Sequence, residues 1–252
     1  MDKQLEERDR AEVVRSAEEA RKLVVEPVDP IQLERYLDPP PDTAYPLEYA
    51  FYLLGDVRGK TVLDFGCGSG ENLLPLVKRG ARVIGLDISP ELIALARQRL
   101  DNAGLDATVT VGTAYETGLP GESVDVIFSI ALIHHLDIPS LLREMRRILK
   151  KKTGRVIIQE PVRFSKGYDR LRKMLPAHED ISEHEHPLTR EELAAVCEPF
   201  KPEGVRYFRL PLIPLLEKIS PRGLIWTMDR WLMRHLPMTN RYATLVVLQL
   251  LQ

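Results

Sequence analysis

Two cysteines in 252 residues, Cys67 and Cys197, leave no disulfide framework to hold this chain together. No Cys/His spacing suits a structural zinc either, and the expected setting is a reducing, cytoplasmic one. No stretch approaches the roughly 18 consecutive apolar residues of a membrane-spanning helix. The charged opening MDKQLEERDRAEVVRSAEEARKL has no apolar centre like that of a secretory signal. A surplus of one charge is missing as well: 35 basic against 37 acidic side chains give a net charge of -2. No global field then draws the chain to nucleic acid or to an anionic membrane, and any such partner must be held locally. Internal repeats are absent, and the proline cluster DPPPD at 38–42 is the one low-complexity tract. What is present is a 44% hydrophobic composition, enough for one generous α/β domain with appended elements.

Three zones follow along the chain. Residues 1–46 read as a polar N-terminal helix and a proline-rich segment, together an expected lid. Residues 47–252 read as the main domain, opening with a short helix in PLEYAFYLLG that Gly55 closes. From Lys60 on, the β-branched runs TVLDF, ARVIGLD, ATVTVG, VDVIFSI and GRVIIQE alternate with helical stretches. That alternation is the sign of a parallel sheet covered on both faces. Ser89-Pro90 reads as an N-cap with proline in first helical position, and Thr189 with Glu192 as a capping box. Near 139–151, Leu141, Leu142, Met145, Ile148 and Leu149 form one stripe, with Arg143, Arg146, Arg147 and Lys150 opposite. A solvated face opposite a buried one explains the basic stripe more plainly than an RNA contact does. Residues 211–241 form an apolar, aromatic insertion before a last strand, YATLVVLQLL.

The stretch VLDFGCGSG at 62–70 places Gly66, Gly68 and Gly70 after a strand ending in Asp64. Glycines at the carboxyl end of a parallel strand make a tight turn where a ligand can touch backbone. Dinucleotide enzymes place a third glycine where Glu71 stands here, and a carboxylate at the mouth is expected to repel a pyrophosphate but not a cationic ligand. Asp87 ends the second strand about twenty residues on, positioned to accept from two ribose hydroxyls.

With DVIFSIALIHHLD and LREMRRILKKKTGRVII in order behind these, residues from about 47 to 160 resemble a class I S-adenosylmethionine-dependent methyltransferase of the small-molecule subgroup called type 11. The resemblance implies an α/β, Rossmann-like, doubly wound sheet of seven strands, order 3-2-1-4-5-7-6, with the last strand antiparallel and the insertion between strands six and seven. It implies S-adenosylmethionine as cofactor and S-adenosylhomocysteine as product. Asp64, Gly66 and Gly68 would line the methionine part with Cys67 and Gly70 in the same loop, Asp87 would hold the ribose, and Ile88 would lie on the adenine. The family often carries an aspartate where Thr113 stands, which leaves Ala114 and Tyr115 to add backbone or stacking contacts. Ser129 and Ile130 would sit under the methionine portion. Cys67 fits as a small apolar side chain and not as a nucleophile.

Methyl transfer from a sulfonium needs alignment, exclusion of water and, for a hydroxyl or protonated amine, a base. His134 and His135 follow strand four, and His135 aligns with a histidine frequent in the subgroup, so it ranks first as base. A purely structural role for it stands equally open. The cluster HEDISEHEHP, with His178, His184 and His186, reads as a polar loop in preference to a metal site, and no metal is expected. Tyr45, Arg163, Phe164, Tyr168, His186 and Trp226 are the expected acceptor contacts. Trp226 and Trp231 either roof a lipophilic acceptor pocket, rest on a membrane surface as a peripheral contact, or pack within the domain or a dimer. The expected partner is a small, lipophilic acceptor met by a monomer or homodimer. The alternatives are a non-catalytic cofactor-binding protein and an RNA-modifying methyltransferase.

Overall fold

The computed structural model describes residues 3–164, 186–211, 213–216 and 222–252. Seven strands form one sheet in the order β3-β2-β1-β4-β5-β7-β6. They are β1 (Thr61–Phe65), β2 (Arg82–Asp87), β3 (Thr108–Val111), β4 (Val126–Ile130), β5 (Arg155–Pro161), β6 (Lys201–Phe208) and β7 (Leu245–Leu251). The first five run parallel, with Leu63 beside Ile84 and Ile127. β7 enters antiparallel between β5 and β6, placing Ile158 beside Leu248. The central strands are buried on both faces, which is why they read as unbroken apolar runs.

Helices α1 (Lys3–Ala20), α2 (Pro30–Leu37) and α3 (Pro46–Leu54) precede the sheet. α4 (Leu73–Lys78), α5 (Pro90–Ala103) and α6 (Ile138–Ile148) connect its parallel strands. α7 (Arg190–Cys197) precedes β6, and α8 (Ile213–Leu216) and α9 (Arg222–His235) fill the insertion before β7. The caps are those the sequence announces. Ser89 Oγ accepts from Leu92 N at the start of α5, and Thr189 with Glu192 closes a reciprocal box on α7. α6 buries Leu141, Leu142, Met145 and Ile148 against the sheet. Its basic side is answered within the chain: Arg147 pairs with Glu144 at 2.7 Å and Lys150 with Asp125 at 2.8 Å.

A buried layer of Leu141, Met145, Ile148 and Val196 covers one face of the sheet. Phe51, Leu54, Leu73, Ile93 and Leu100 cover the other. α1, polar along most of its length, packs on α5. Among the described residues no helix is long and apolar enough to cross a membrane.

Candidate functional site

The glycine turn is built as its composition requires. Gly66, Gly68 and Gly70 take φ of 75°, 51° and 82°, the left-handed region that side chains resist. Gly66 N and Cys67 N both donate to Leu86 O, which ties the turn to β2. The three glycines then divide by role. A Cβ on Gly68 would enter open space, whereas one on Gly70 would stand 2.9 Å from Ala96 Cβ in α5. Gly68 therefore faces a ligand space and Gly70 lets two elements close. Cys67 is buried with Sγ against Gly85, and burial pushes its thiol far up, so it is an inert core residue.

Asp87 joins the turn to the end of β2. Its Oδ2 accepts from Gly68 N and its Oδ1 from Ser89 N, both at 2.9 Å. Burial raises its pKa and these two N–H groups oppose the rise. Asp64 is buried beneath, Oδ2 without a partner, and burial followed by the charge of Asp87 pushes it up to about 8. Ser129 Oγ is likewise buried without a partner.

A cavity of about 260 Å³ lies at the carboxyl ends of β1, β2 and β4, and Asp64 and Ser129 are not among its lining residues. Gly66, Gly68, Asp87, Ile88, Ala114 and Ile130, six of the residues expected to meet the cofactor, line it. Cys67, Gly70, Thr113 and Tyr115 are not among its lining residues. Tyr115 is instead engaged through its hydroxyl, which accepts from Asp137 N at 2.9 Å. Glu71 corrects the argument about a carboxylate at the mouth: its side chain is 73% exposed, lies 3.7 Å from Arg99 and does not line the cavity.

α1, part of the expected lid, supplies a wall whose individual residues the sequence does not single out. Asp9, Glu12, Arg15 and Ser16 all line the cavity. Asp9 hydrogen-bonds Thr113, so a carboxylate from α1 reaches the position where the strand-three loop carries a threonine. Arg15 is held by Glu12 at 2.5 Å, and Arg8 Nε donates to His135 O at 2.6 Å. Burial tends to raise Glu12, but bonds from Arg15 and the neighbouring His135 bring it below its usual range.

The two histidines part company. His135 lines the small cavity, 3.9 Å from Glu12, and burial plus the adjacent His134 lower its pKa to about 3. His134 lines a second, larger cavity of about 910 Å³ between α6 and α7. Its Nδ1 lies 2.7 Å from Oε2 of the fully buried Glu160, whose Oε1 accepts from Leu132 N and Ile133 N. The rings are 3.9 Å apart and Leu136 lines both cavities, so the histidine pair stands between the two. Glu160, a strand-end acid that sequence reasoning passed over, is next to last in β5, as Asp64 is in β1, while Asp87 ends β2. Ala131, between β4 and this turn, holds φ at 53° and lines the small cavity.

The expected acceptor contacts scatter. His186 lines the larger cavity and pairs with Glu192 at 2.9 Å. Phe164 meets Tyr207 edge-on with Arg190 above it, and Arg163 N donates to Leu188 O. Tyr45 and Trp226 stack at 5.6 Å in a separate hollow beside Arg35. Tyr168, His178 and His184 lie outside the described residues. Among the described residues no group of three acids, histidines or cysteines could hold a metal.

Residues 63–158 match the family model described as a methyltransferase domain. A ubiquinone biosynthesis O-methyltransferase from Azorhizobium caulinodans is 35% identical over 91 residues, 36% of either chain. One from Aeromonas salmonicida is 28% identical over 152 residues, covering 57% of this chain and 63% of that protein. This chain thus spans well under two thirds of the first of these relatives. Among solved structures, geranyl diphosphate C-methyltransferase from Streptomyces coelicolor, in complex with magnesium, geranyl diphosphate and S-adenosylhomocysteine, superposes with a TM-score of 0.59 at 19% identity, over 89% of this chain and 88% of that one. The cyclase SpnF superposes at 0.57 with 16% identity, over 81% and 80%. A likeness at that identity is one of fold, and the fold hosts more than one chemistry.

Proposed function

We propose, from the match of residues 63–158 to the model of a methyltransferase domain, that this chain transfers a methyl group from S-adenosylmethionine to a small, lipophilic acceptor. The observation that carries the reading is the small cavity walled by Gly68 and Asp87, with the histidine pair between it and a larger one. The small cavity suits that cofactor. Its carboxylates, Asp9, Glu12, Glu19 and Asp87, outnumber the one guanidinium among its described lining residues, Arg15, which Glu12 already pairs. A sulfonium and an ammonium are favoured in such a field, and a pyrophosphate is not. Gly68 offers backbone without a side chain, and the unpartnered Asp64 and Ser129 are polar atoms buried close beneath.

When bound, the cofactor supplies an electrophilic methyl group on a sulfur that leaves as a neutral thioether. The chain's part is to align, exclude water and move one proton. Asp87 holds the ribose, while α1 covers the cavity and keeps solvent out. Glu160 takes the Nδ1 proton of His134 as a hydrogen bond, which leaves Nε2 with a lone pair on the larger cavity's side. His134, oriented by Glu160, is the better-placed base for a hydroxyl or ammonium acceptor. His135, kept neutral by burial, packs between the two sites. The larger cavity is lined by Ile133, Leu136, Ile138, Leu142 and Leu188 with Arg8 and Arg143 among them, a surface for an apolar molecule bearing a polar end.

The test is to incubate the purified chain with labelled S-adenosylmethionine and a panel of phenolic, isoprenoid and amine acceptors, and to follow S-adenosylhomocysteine. Turnover dependent on acceptor supports the reading. Cofactor binding without turnover on any class would reduce the chain to a cofactor-binding partner. Tighter binding of NADH than of S-adenosylmethionine would overturn the assignment itself.

A further inference from the structure

The two tryptophans of the insertion have opposite fates. Trp226 stacks on Tyr45, whereas Trp231 is 56% exposed. On α9, Leu224, Met228, Trp231 and His235 recur at helical spacing and form one stripe, with Leu224 65% and Met228 41% exposed. Trp231 lies against His235 at 5.1 Å, and the turn Pro237–Tyr242 continues the patch with Met238, 74% exposed. The stripe is not what anchors the helix. The other face of α9 is buried through Ile225 and Met233, and buried Asp229 accepts from Arg209 N and Leu210 N, both at 2.8 Å. So many large apolar side chains gathered on one outer face mark an interaction surface.

Charge borders this stripe. Arg230 and Arg234 follow one flank of α9 and, with Arg206 from β6, line a hollow of about 560 Å³. Asp42, bonded by Arg230, is the one acid among its described lining residues. Arg206 is fixed by donating to Thr43 O and by the faces of Tyr49 and Phe208. Burial, with Arg230 and Arg234 nearby, lowers its pKa, as a positive field does. Arg241 stands over Tyr242 at the other end of the patch. This local field exists in a chain whose net charge is -2.

We propose that α9 and the turn after it dock this chain on an anionic phospholipid surface, with Leu224, Met228, Trp231 and Met238 entering the interface and Arg230, Arg234 and Arg241 meeting lipid phosphates. An amphipathic helix with aromatic and long apolar residues outward, bordered by guanidiniums, has the composition of an interfacial segment. A second copy of the chain fits less well, because an isologous contact would bring the same arginines face to face. None of these residues lines either cavity of the candidate site, so the proposal does not rest on methyl transfer.

Sedimentation with phosphatidylcholine vesicles, with and without phosphatidylglycerol, tests it. The full chain is expected to partition onto the anionic vesicles alone and to be released by high salt. In Trp226→Phe, Trp231 is the one tryptophan left, and its emission should shift to the blue and be quenched by brominated acyl chains. Arg234→Ala with Arg241→Ala should weaken partition at least about tenfold. Lys151→Glu, at an exposed position outside α9, should leave it unchanged. Equal binding to neutral vesicles, or no binding at low salt by a chain whose circular dichroism is native, overturns the proposal. So does a concentration-dependent dimer that Trp231→Ser disperses, which would assign the stripe to a second copy.

Discussion

At the scale of the residue, the site turns on which carboxylate each of two adjacent histidines meets. Nothing in HH distinguishes them, but the 3₁₀ turn Ile133–His135 sends one ring to Glu160 and the other beside Glu12. His134→Ala is expected to lower kcat by about 10² to 10⁴ on an oxygen acceptor with cofactor affinity kept. Glu160→Gln should lower it less and shift the pH profile, because the ring loses its orienter but not its nitrogen. A His135→Ala variant that lost turnover while His134→Ala kept it would restore the order the sequence suggests. Burial and the adjacent His134 hold the pKa of His135 well below the usual histidine range, so a rate that rises through that range is expected to come from another group. Gly70 gives a second residue-scale test. A Cβ there meets Ala96 at a φ of 82°, so Gly70→Ala should cost about 1 to 3 kcal/mol in denaturant melts, and the same change at Gly68 should spare stability more and cofactor binding less.

At the scale of the element, α1 is the piece whose place decides its role. Its sequence is polar along most faces, and such a helix is stable only where something meets it. Here it rests on α5, puts Arg8 on the His135 carbonyl and turns Asp9 and Glu12 to the cavity. Glu12→Gln is therefore expected to weaken S-adenosylmethionine by about 1 kcal/mol, roughly fivefold, and the uncharged-sulfur product by less. Calorimetry with both ligands measures the difference, and equal losses would show that α1 closes the cavity without reading charge. The β5–Glu160 connection makes the same point from the opposite side. Strand end and acid are both written in GRVIIQE, but the partner across the sheet is not.

At the scale of the whole molecule, two buried groups shape stability against pH. Asp64, near 8 in the fold and 3.8 when exposed, keeps a proton that the unfolded chain releases, so its contribution falls as pH rises from about 4 to 8. His135, near 3 against 6.5, refuses a proton that the unfolded chain takes up, so its contribution falls as pH drops from 6.5 to 3. Where the windows overlap the two oppose each other. The melting temperature should be nearly level between about pH 4 and 6.5 and decline above that, with a slope of at most about 1.4 kcal/mol per pH unit. Asp64→Asn should remove the decline, and an unchanged slope in that variant would acquit Asp64. A cationic ligand nearby favours the carboxylate, so binding of S-adenosylmethionine near pH 7 should release a proton, seen as a binding enthalpy that depends on the buffer.

Strand positions, the caps at Ser89 and Thr189, the glycine turn and the strand-end acids Asp64 and Asp87 were legible in the sequence because each is a local matter: period, cap chemistry and φ depend on neighbours a few residues away. Their order, once matched to a known pattern, also carried the sheet order 3-2-1-4-5-7-6. Other decisions waited for tertiary structure. Glu71 turned outward to Arg99, Gly70 served packing instead of a ligand, and Trp226 separated from Trp231. The partners of His134 and Thr113, Glu160 and Asp9, lie 26 and 104 positions away along the chain. A side chain's direction and its distant partner are set by how the elements pack, and no local spacing in a single sequence encodes that.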